Sequence, residues 1–225
     1  MIRIEPAGAE ALLLVLAEAP DDRLPLRIAQ LAERLRAHCG PLLRDLVPGW
    51  TTLLLHYDLM RTDHQALARL IEPLLEAWLV EPVAAGAGRL HRIPVWYCGE
   101  DLPWVADACG ISVEAVVDLH CSVEYRVGAI GFSPGFAYLG GLDPRLALPR
   151  RSSPRVHVPA GSLAIAERQT AIYPQASPGG WHLLGRCPST LFDAHRESPS
   201  LMALGDRVRF QPIDEAAFRA EGGET

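Results

Sequence analysis

The first eighty residues alternate between short apolar runs and segments of helical periodicity. Ala11–Leu16 and Thr52–Tyr57 are largely apolar, which predicts buried strands. Between them, leucine and isoleucine recur every three or four positions and predict a helix over Asp22–Cys39. Asp21 or Asp22 is suited to cap its start, because a short side-chain oxygen accepts hydrogen bonds from the free N–H groups of a first turn.

A second helix is predicted from the capping-box pair Thr62 and Gln65, which precedes apolar residues on one helical face. Pro73 interrupts this pattern, so we expect a kink or an early stop there. These elements together predict a small α+β unit with antiparallel strands and two helices. The following segment, Glu81–Gly88, is rich in alanine, glycine and proline and is the predicted linker.

Downstream of the linker the pattern changes. Arg92–Tyr97 predicts a strand, and Asp101–Cys109 and Ser112–His120 predict two short helices. Short β-like pieces then alternate with glycine and proline turns, as is typical of a β-barrel or sandwich: Val123–Ile130, Val156–Val158, Leu163–Ala166, Thr170–Tyr173, Trp181–Leu184 and Arg207–Phe210. We therefore predict an α+β chain with two domains, 1–88 and 89–225.

Composition narrows the possible classes of protein. Of the residues, 49% are hydrophobic and 21% are charged, as in globular proteins. The net charge of −6 argues against nucleic-acid binding, which needs a basic surface. No apolar run approaches the roughly 20 residues of a membrane span, and the N-terminus does not resemble a signal peptide, so a cytoplasmic protein is predicted. Five cysteines without a C-x-x-C pair argue against a disulfide framework, and no metal site is predicted.

The chain contains no lysine and no asparagine. A P-loop needs a lysine to reach phosphate, and a Schiff base or a biotin attachment needs a lysine amine. Chemistry of these kinds would have to come from another chain.

The segment Gly131–Pro188 is the candidate site. It is dense in glycine, proline and arginine, and stiff loops that carry guanidinium groups favour binding of anions and carboxylates. The alternative is that these are barrel turns with solvated arginines. That is the better interpretation for any single glycine or proline, whereas the whole cluster favours a site.

Several single residues carry competing interpretations. Gly131–Gly135 fits the G-x-S-x-G elbow, but Pro134 follows Ser133 and has no N–H for an oxyanion hole, so a serine hydrolase is not expected. His120 is either a general base or a core histidine, and we favour the structural role. The pair Glu100-Asp101 is predicted to cap a helix.

The segment Gly131–Pro188 resembles the signature of the family that contains the B subunit of prokaryotic 5-oxoprolinase (PxpB), the kinase inhibitor KipI and proteins named allophanate hydrolase subunit 1. The resemblance extends upstream through Ile93–Tyr97, Glu100–Leu102 and Leu119-His120, and downstream to Gly205–Phe210. It implies a small N-terminal α/β unit followed by a cyclophilin-like β-barrel. It also implies a PxpC-like partner chain, related to allophanate hydrolase subunit 2, and a PxpA-like partner chain.

The reaction that the resemblance implies is the ATP-dependent opening of 5-oxo-L-proline to L-glutamate. The lactam would be activated by phosphorylation, at a site shared with a partner and using ATP with magnesium, so the chain is expected to be inactive alone. Such a route needs positive charge near the phosphate and donors for a developing oxyanion. The residues expected to be catalytic are Arg155, Gln169, Arg186 and His120. Those expected to bind substrate or ATP are Phe132, Pro134, Gly135, Tyr138, Arg150, Arg151, Tyr173, Ser177, Gly179 and Trp181.

The sequence departs from the family pattern at Ala137, Glu167, Ala171 and Cys187, and Glu167 adds a negative charge near the arginines. Alternatives therefore stay open. One is a KipI-type inhibitor of a sensor histidine kinase. Another is a carboxyltransferase-like half of a urea or allophanate-pathway enzyme, which would need a biotinylated partner. A scaffold and a homo-oligomer are also compatible with the sequence, whereas nucleic-acid and membrane partners are not expected.

Overall fold

The computed structural model describes residues 2–21, 23–81 and 88–223. These residues belong to two compact units, 1–88 and 89–225. Most of the predicted linker, residues 82–87, lies outside the described residues.

The first unit has one four-stranded antiparallel sheet in the order β1-β2-β4-β3. Its helices carry leucine and isoleucine side chains that are fully buried, among them Ile28 and Ile71. Because these residues recur at helical spacing, each helix has one apolar face. The elements are β1 (Arg3–Pro6), β2 (Ala11–Val15), α1 (Leu24–Cys39), β3 (Leu43–Pro48), β4 (Thr52–Tyr57) and α2 (His64–Val80).

Helix α1 ends at Cys39, as predicted, but begins at Leu24, whereas α2 differs from the prediction at its cap and at Pro73. The carboxylate of Asp21 accepts hydrogen bonds from the N–H groups of Arg23 and Leu24 at the start of α1, whereas Asp22 lies outside the described residues. Asp63, not Thr62, caps α2, since its Oδ1 accepts from the N–H of Ala66 at 2.8 Å. The early stop expected at Pro73 is wrong, because α2 continues to Val80.

The second unit contains a closed seven-stranded barrel. The barrel strands are β5 (Leu90–Trp96), β6 (Tyr125–Ile130), β7 (Ala137–Gly140), β9 (Ser162–Ala166), β10 (Gln169–Ile172), β12 (His182–Arg186) and β13 (Arg207–Ile213). Their order around the barrel is β10-β7-β6-β13-β5-β12-β9. Strands β13 and β5 pair in parallel, and the other neighbours pair antiparallel. A separate ribbon pairs β8 (Arg155–Val158) with β11 (Ser177–Gly179), and the helices are α3 (Leu102–Cys109), α4 (Val113–Ser122) and α5 (Glu215–Ala220). The predicted α+β class with a barrel is confirmed.

Two apolar clusters lie on opposite faces of the same barrel strands. Residues from all seven strands meet in the larger cluster, which fills the barrel interior and includes Leu139 and Ile172. The intervening positions, such as Ala171, belong to a second cluster of aromatic rings and small alanines. Side chains alternate across a strand, so these small outward residues leave room for rings to pack on the barrel wall. None of the helices in the described part of the chain has the length and apolarity that a membrane crossing requires.

Candidate functional site

Aromatic rings line a small cavity on the outer face of the barrel. The cavity has a volume of about 100 Å³. The Phe136 ring centre lies 4.7 Å from that of Tyr138 and 5.3 Å from that of Tyr173, and Tyr138 lies 6.0 Å from Trp181. The first of these contacts is tilted and the other two are edge-to-face, and such contacts restrain the rings that make them. We call this the aromatic cavity, and its lining residues are Phe132, Phe136, Tyr138, Arg150, Tyr173, Pro178, Gly179, Gly180 and Trp181.

Backbone geometry explains the glycines around the aromatic cavity. A Cβ atom on Gly179 would lie 2.3 Å from the hydroxyl oxygen of Tyr173, so any larger residue there would have to displace the buried Tyr173 ring. Gly135 has a φ of +80°, and a Cβ on it would lie 2.7 Å from that of Phe192. Phe132 has a φ of 71° although it is not a glycine, and 63% of it is exposed. An exposed phenylalanine in this costly conformation presents its ring at the mouth of the cavity.

Arg150 supplies the positive charge of the aromatic cavity. Its guanidinium carbon lies 5.9 Å from the centre of the Trp181 ring. Its ion pair with Glu167 is long, at 3.7 Å, and both side chains are exposed, so this pair is weak and can give way to an anion. Glu167 has a φ of 54°, in the left-handed region. That region favours glycine, so Glu167 holds a backbone conformation that few side chains adopt.

Arg151 and Arg155 are held in a network around Asp101, whose side chain is only 8% exposed. One carboxylate oxygen accepts from Arg151 Nη1 at 3.0 Å and from Arg155 Nη2 at 2.7 Å, and the other accepts from the N–H of Leu183 at 2.7 Å. Arg155 also pairs with Glu100 at 2.6 Å. Asp101 occupies the N-cap position of α3, as predicted, but its side chain makes no capping bond there. These two arginines therefore hold structure together and are less available to a ligand than Arg150.

The remaining predicted residues lie apart from the aromatic cavity. Arg186 lines a larger cavity of about 470 Å³, which shares Tyr173 with the aromatic cavity. Gln169 lies in β10 and Ser177 at the start of β11, and neither lines the aromatic cavity. Pro134 is in the turn behind Phe132, again outside the lining. The structure thus brings together six of the predicted binding residues: Phe132, Tyr138, Arg150, Tyr173, Gly179 and Trp181.

His120 is fully buried in the second unit and has partners at both ring nitrogens. Thr170 donates its hydroxyl to the carbonyl of Ala164, so that hydroxyl accepts from His120 Nε2 at 3.0 Å. The other nitrogen, Nδ1, then accepts from the Tyr97 hydroxyl at 2.8 Å. Burial lowers the pKa of His120 to about 3, so the ring is neutral near pH 7. This arrangement favours the structural role, and we assign no proton transfer to it.

The structure adds residues that sequence patterns missed. Trp104 and His182 stack in a second cavity of about 460 Å³, whose lining includes Arg150. In α3 the neighbours Val105 and Ala106 are buried whereas Trp104 is exposed. The sequence signal that could have identified Trp104 is therefore a large aromatic residue on the polar face of a short amphipathic helix. Among the described residues, no group of three or more histidine, cysteine, aspartate or glutamate side chains is placed to hold a metal ion.

The barrel and its attached helices define a class of domain. Residues 2–202 match the family described as "Carboxyltransferase domain, subdomain C and D", and the chain belongs to that family. More particularly, it is 42% identical over 192 residues to the 5-oxoprolinase B subunit of Escherichia coli O157:H7, an alignment that covers 84% of this chain and 86% of the relative. It is also 35% identical over 231 residues to the 5-oxoprolinase B subunit of Bacillus subtilis (strain 168). That alignment covers 97% of this chain and 95% of the relative. The family resemblance seen in the sequence is thereby confirmed.

Solved structures and a more distant relative extend the comparison. The crystal structure of TTHA0988 superimposes with a TM-score of 0.80 at 42% identity over 92% of this chain. This chain spans only 40% of the length of that protein. Urea amidolyase of Saccharomyces cerevisiae is 31% identical over 126 residues, which are 51% of this chain and 7% of that protein.

Proposed function

We propose that the chain is the B component of a cytoplasmic, heteromeric 5-oxoprolinase, which uses ATP to open 5-oxo-L-proline to L-glutamate. PxpC-like and PxpA-like chains complete the enzyme, and this chain alone is inactive. The observation that carries the proposal is the aromatic cavity with Arg150 at its edge. The identity to two proteins that are named as the B subunit of 5-oxoprolinase, over most of each chain, supports the choice of substrate.

The chemistry of 5-oxoproline suits the aromatic cavity. The substrate is a small, nearly flat lactam ring with one carboxylate. Aromatic walls can cover the ring, while a guanidinium group can bind a carboxylate or a phosphate through two parallel hydrogen bonds. We assign this role to Arg150 because its pairing with Glu167 is long and exposed, whereas Arg151 and Arg155 are engaged by Asp101.

In the proposed reaction the lactam oxygen attacks the γ-phosphorus of ATP, and ADP leaves. Water then attacks the activated carbon, and the ring C–N bond breaks as the nitrogen takes up a proton, which leaves an acyl phosphate of glutamate. A second water hydrolyses this acyl phosphate to glutamate and phosphate. Negative charge grows on oxygen during these steps, and a fixed cation beside it lowers the barrier. Because no described cluster of side chains suits a metal, we assign the magnesium to ATP and a partner chain and derive no step through it.

The test is co-expression of this chain with PxpC-like and PxpA-like chains, followed by an assay of ATP-dependent glutamate release from 5-oxoproline. Arg150→Ala in the complex is expected to lower the rate by about 10- to 100-fold, as expected for the loss of a hydrogen bond to a charged group. Arg145→Ala is the matched control, because Arg145 is an exposed arginine paired with Asp143 outside the cavity.

Three outcomes would count against this assignment. Glutamate release by the purified single chain would exclude a composite site. An Arg150→Ala complex as active as the Arg145→Ala complex would remove Arg150 from the reaction. A stable complex without glutamate release would mean that the substrate is a different amide or urea-like compound.

A second candidate is favoured by one observation, the match to a carboxyltransferase domain. In that case the chain would take part in moving a carboxyl group from biotin to urea. The biotin would be attached to another chain, because this one has no lysine. Carboxyl transfer from carboxybiotin to urea by the assembled complex would establish this activity. The kinase-inhibitor alternative predicts instead a complex with a sensor histidine kinase, which a pull-down with that kinase tests.

A further inference from the structure

A second cavity lies beside the aromatic cavity and has a different lining. It has a volume of about 460 Å³, and its lining includes Trp104, His182, Arg150, Arg151, Ser152 and Ser153. We call it the Trp104 cavity. Arg150 lines both cavities, so one guanidinium group stands at their common boundary.

Trp104 forms a fixed aromatic platform in this cavity. Its ring lies 4.6 Å from that of His182 and only 16° from parallel. His182 is buried, and its Nε2 donates a hydrogen bond to the carbonyl of Pro149 at 2.8 Å, which holds the imidazole in place. Trp104 is nevertheless 51% exposed. One face of the indole is therefore covered by the imidazole, and the other is open to a planar ligand.

The groups around the open face are polar and charged. Ser152 and Ser153 are exposed and offer hydroxyl groups, and Arg150 lies in the same lining. Arg151 and Asp101 also line the cavity, and they are paired with each other. Hydroxyl and guanidinium groups beside a free aromatic face suit a nucleotide, because they can bind a base edge, a ribose and phosphates.

We propose that the Trp104 cavity is the purine subsite for ATP. The adenine stacks on the open face of Trp104, and the triphosphate extends toward Arg150, at the boundary with the aromatic cavity. This inference rests on the proposed function, which supplies ATP as a substrate. It deepens that function by dividing the site: the nucleotide occupies the larger cavity, the lactam occupies the smaller one, and the phosphoryl group passes between them at Arg150.

The test measures binding of the non-hydrolysable analogue AMP-PNP to the assembled complex by calorimetry. Trp104→Ala is expected to weaken binding about 5- to 150-fold, the range for loss of one base–aromatic stack. Trp104→Phe keeps an aromatic face and is expected to recover most of the affinity. Phe132→Ala alters the mouth of the other cavity, so it is expected to raise the KM for 5-oxoproline and to leave AMP-PNP binding unchanged.

Unchanged AMP-PNP affinity in Trp104→Ala would overturn the proposal, as would a wild-type complex that binds no AMP-PNP. A Trp104→Ala complex that dissociates on gel filtration would identify Trp104 as a partner contact and would also overturn it. If AMP-PNP binding depends on Trp104 but no glutamate forms from 5-oxoproline, the purine subsite stands and the lactam substrate is wrong.

Discussion

Removal of the Asp101 carboxylate tests whether the buried charge network holds the second unit together. In Asp101→Ala, the N–H of Leu183 loses its side-chain acceptor, which costs about 1–3 kcal/mol when the group is buried. Arg155, whose side chain is 15% exposed, loses its buried partner, and breaking such a pair costs about 3–5 kcal/mol. Glu100 remains 2.6 Å from Arg155, and Arg151 is partly exposed to water, so both reduce the total.

We therefore expect Asp101→Ala to lower the free energy of unfolding by about 3–4 kcal/mol. The assay is urea denaturation followed by tryptophan fluorescence, with linear extrapolation to water. Glu100→Ala is the matched control: Glu100 pairs with the same arginine, but its side chain is 64% exposed, so a loss of about 1 kcal/mol or less is expected. Asp101→Asn keeps an acceptor for the N–H of Leu183, so its loss of unfolding free energy should lie between those of Asp101→Ala and Glu100→Ala. Equal losses in Asp101→Ala and Glu100→Ala would refute the reasoning.

Two further predictions concern His120 and Gly179. Because the folded pKa of His120 is about 3 against a usual 6.5, its contribution to stability is complete above pH 6.5 and is lost as the pH falls toward 3. In His120→Gln, the difference in unfolding free energy between pH 8 and pH 5 should therefore be smaller than in the wild type by about 2 kcal/mol. The measurement is denaturation at the two pH values, and the same difference in both proteins would contradict the prediction. Gly179→Ala places a methyl group against the Tyr173 hydroxyl, at the wall of the aromatic cavity. It should abolish glutamate release by the complex while the far-UV circular dichroism spectrum stays native. Full activity of this variant would show that the aromatic cavity is not used.

Local patterns in the sequence were sufficient for the elements that carry their own periodicity. The strand Thr52–Tyr57 and the helix that ends at Cys39 match the structure at those boundaries. Strands β7 and β11 were not predicted, because they are only four and three residues long and lie among glycines and prolines. Their pairing depends on strands far away in the sequence, which a local pattern does not contain.

The same limit applies to the candidate site. The residues that line the aromatic cavity all lie within Gly131–Pro188, the segment that the density of glycine, proline and arginine singles out. That density could not separate the arginines by role, because the carboxylate that engages Arg151 and Arg155 comes from Asp101, about fifty residues earlier. Sequence position alone suggests that Asp101 begins a helix, which is true, whereas the direction of its side chain is set by tertiary contacts.

The network around Asp101 also fixes the geometry of the aromatic cavity. One carboxylate binds Arg151, the residue directly after Arg150, and the N–H of Leu183, two residues after Trp181. A second bond joins the backbones, since the N–H of Arg151 donates to the carbonyl of Gly180 at 2.8 Å. The segments that carry Arg150 and Trp181 are thus tied together beside the cavity that both residues line. Holding a cation and an aromatic wall at fixed separation is what a preorganised anion site requires. Two arginines that a ligand does not need to touch therefore help to position the one that we assign to the ligand.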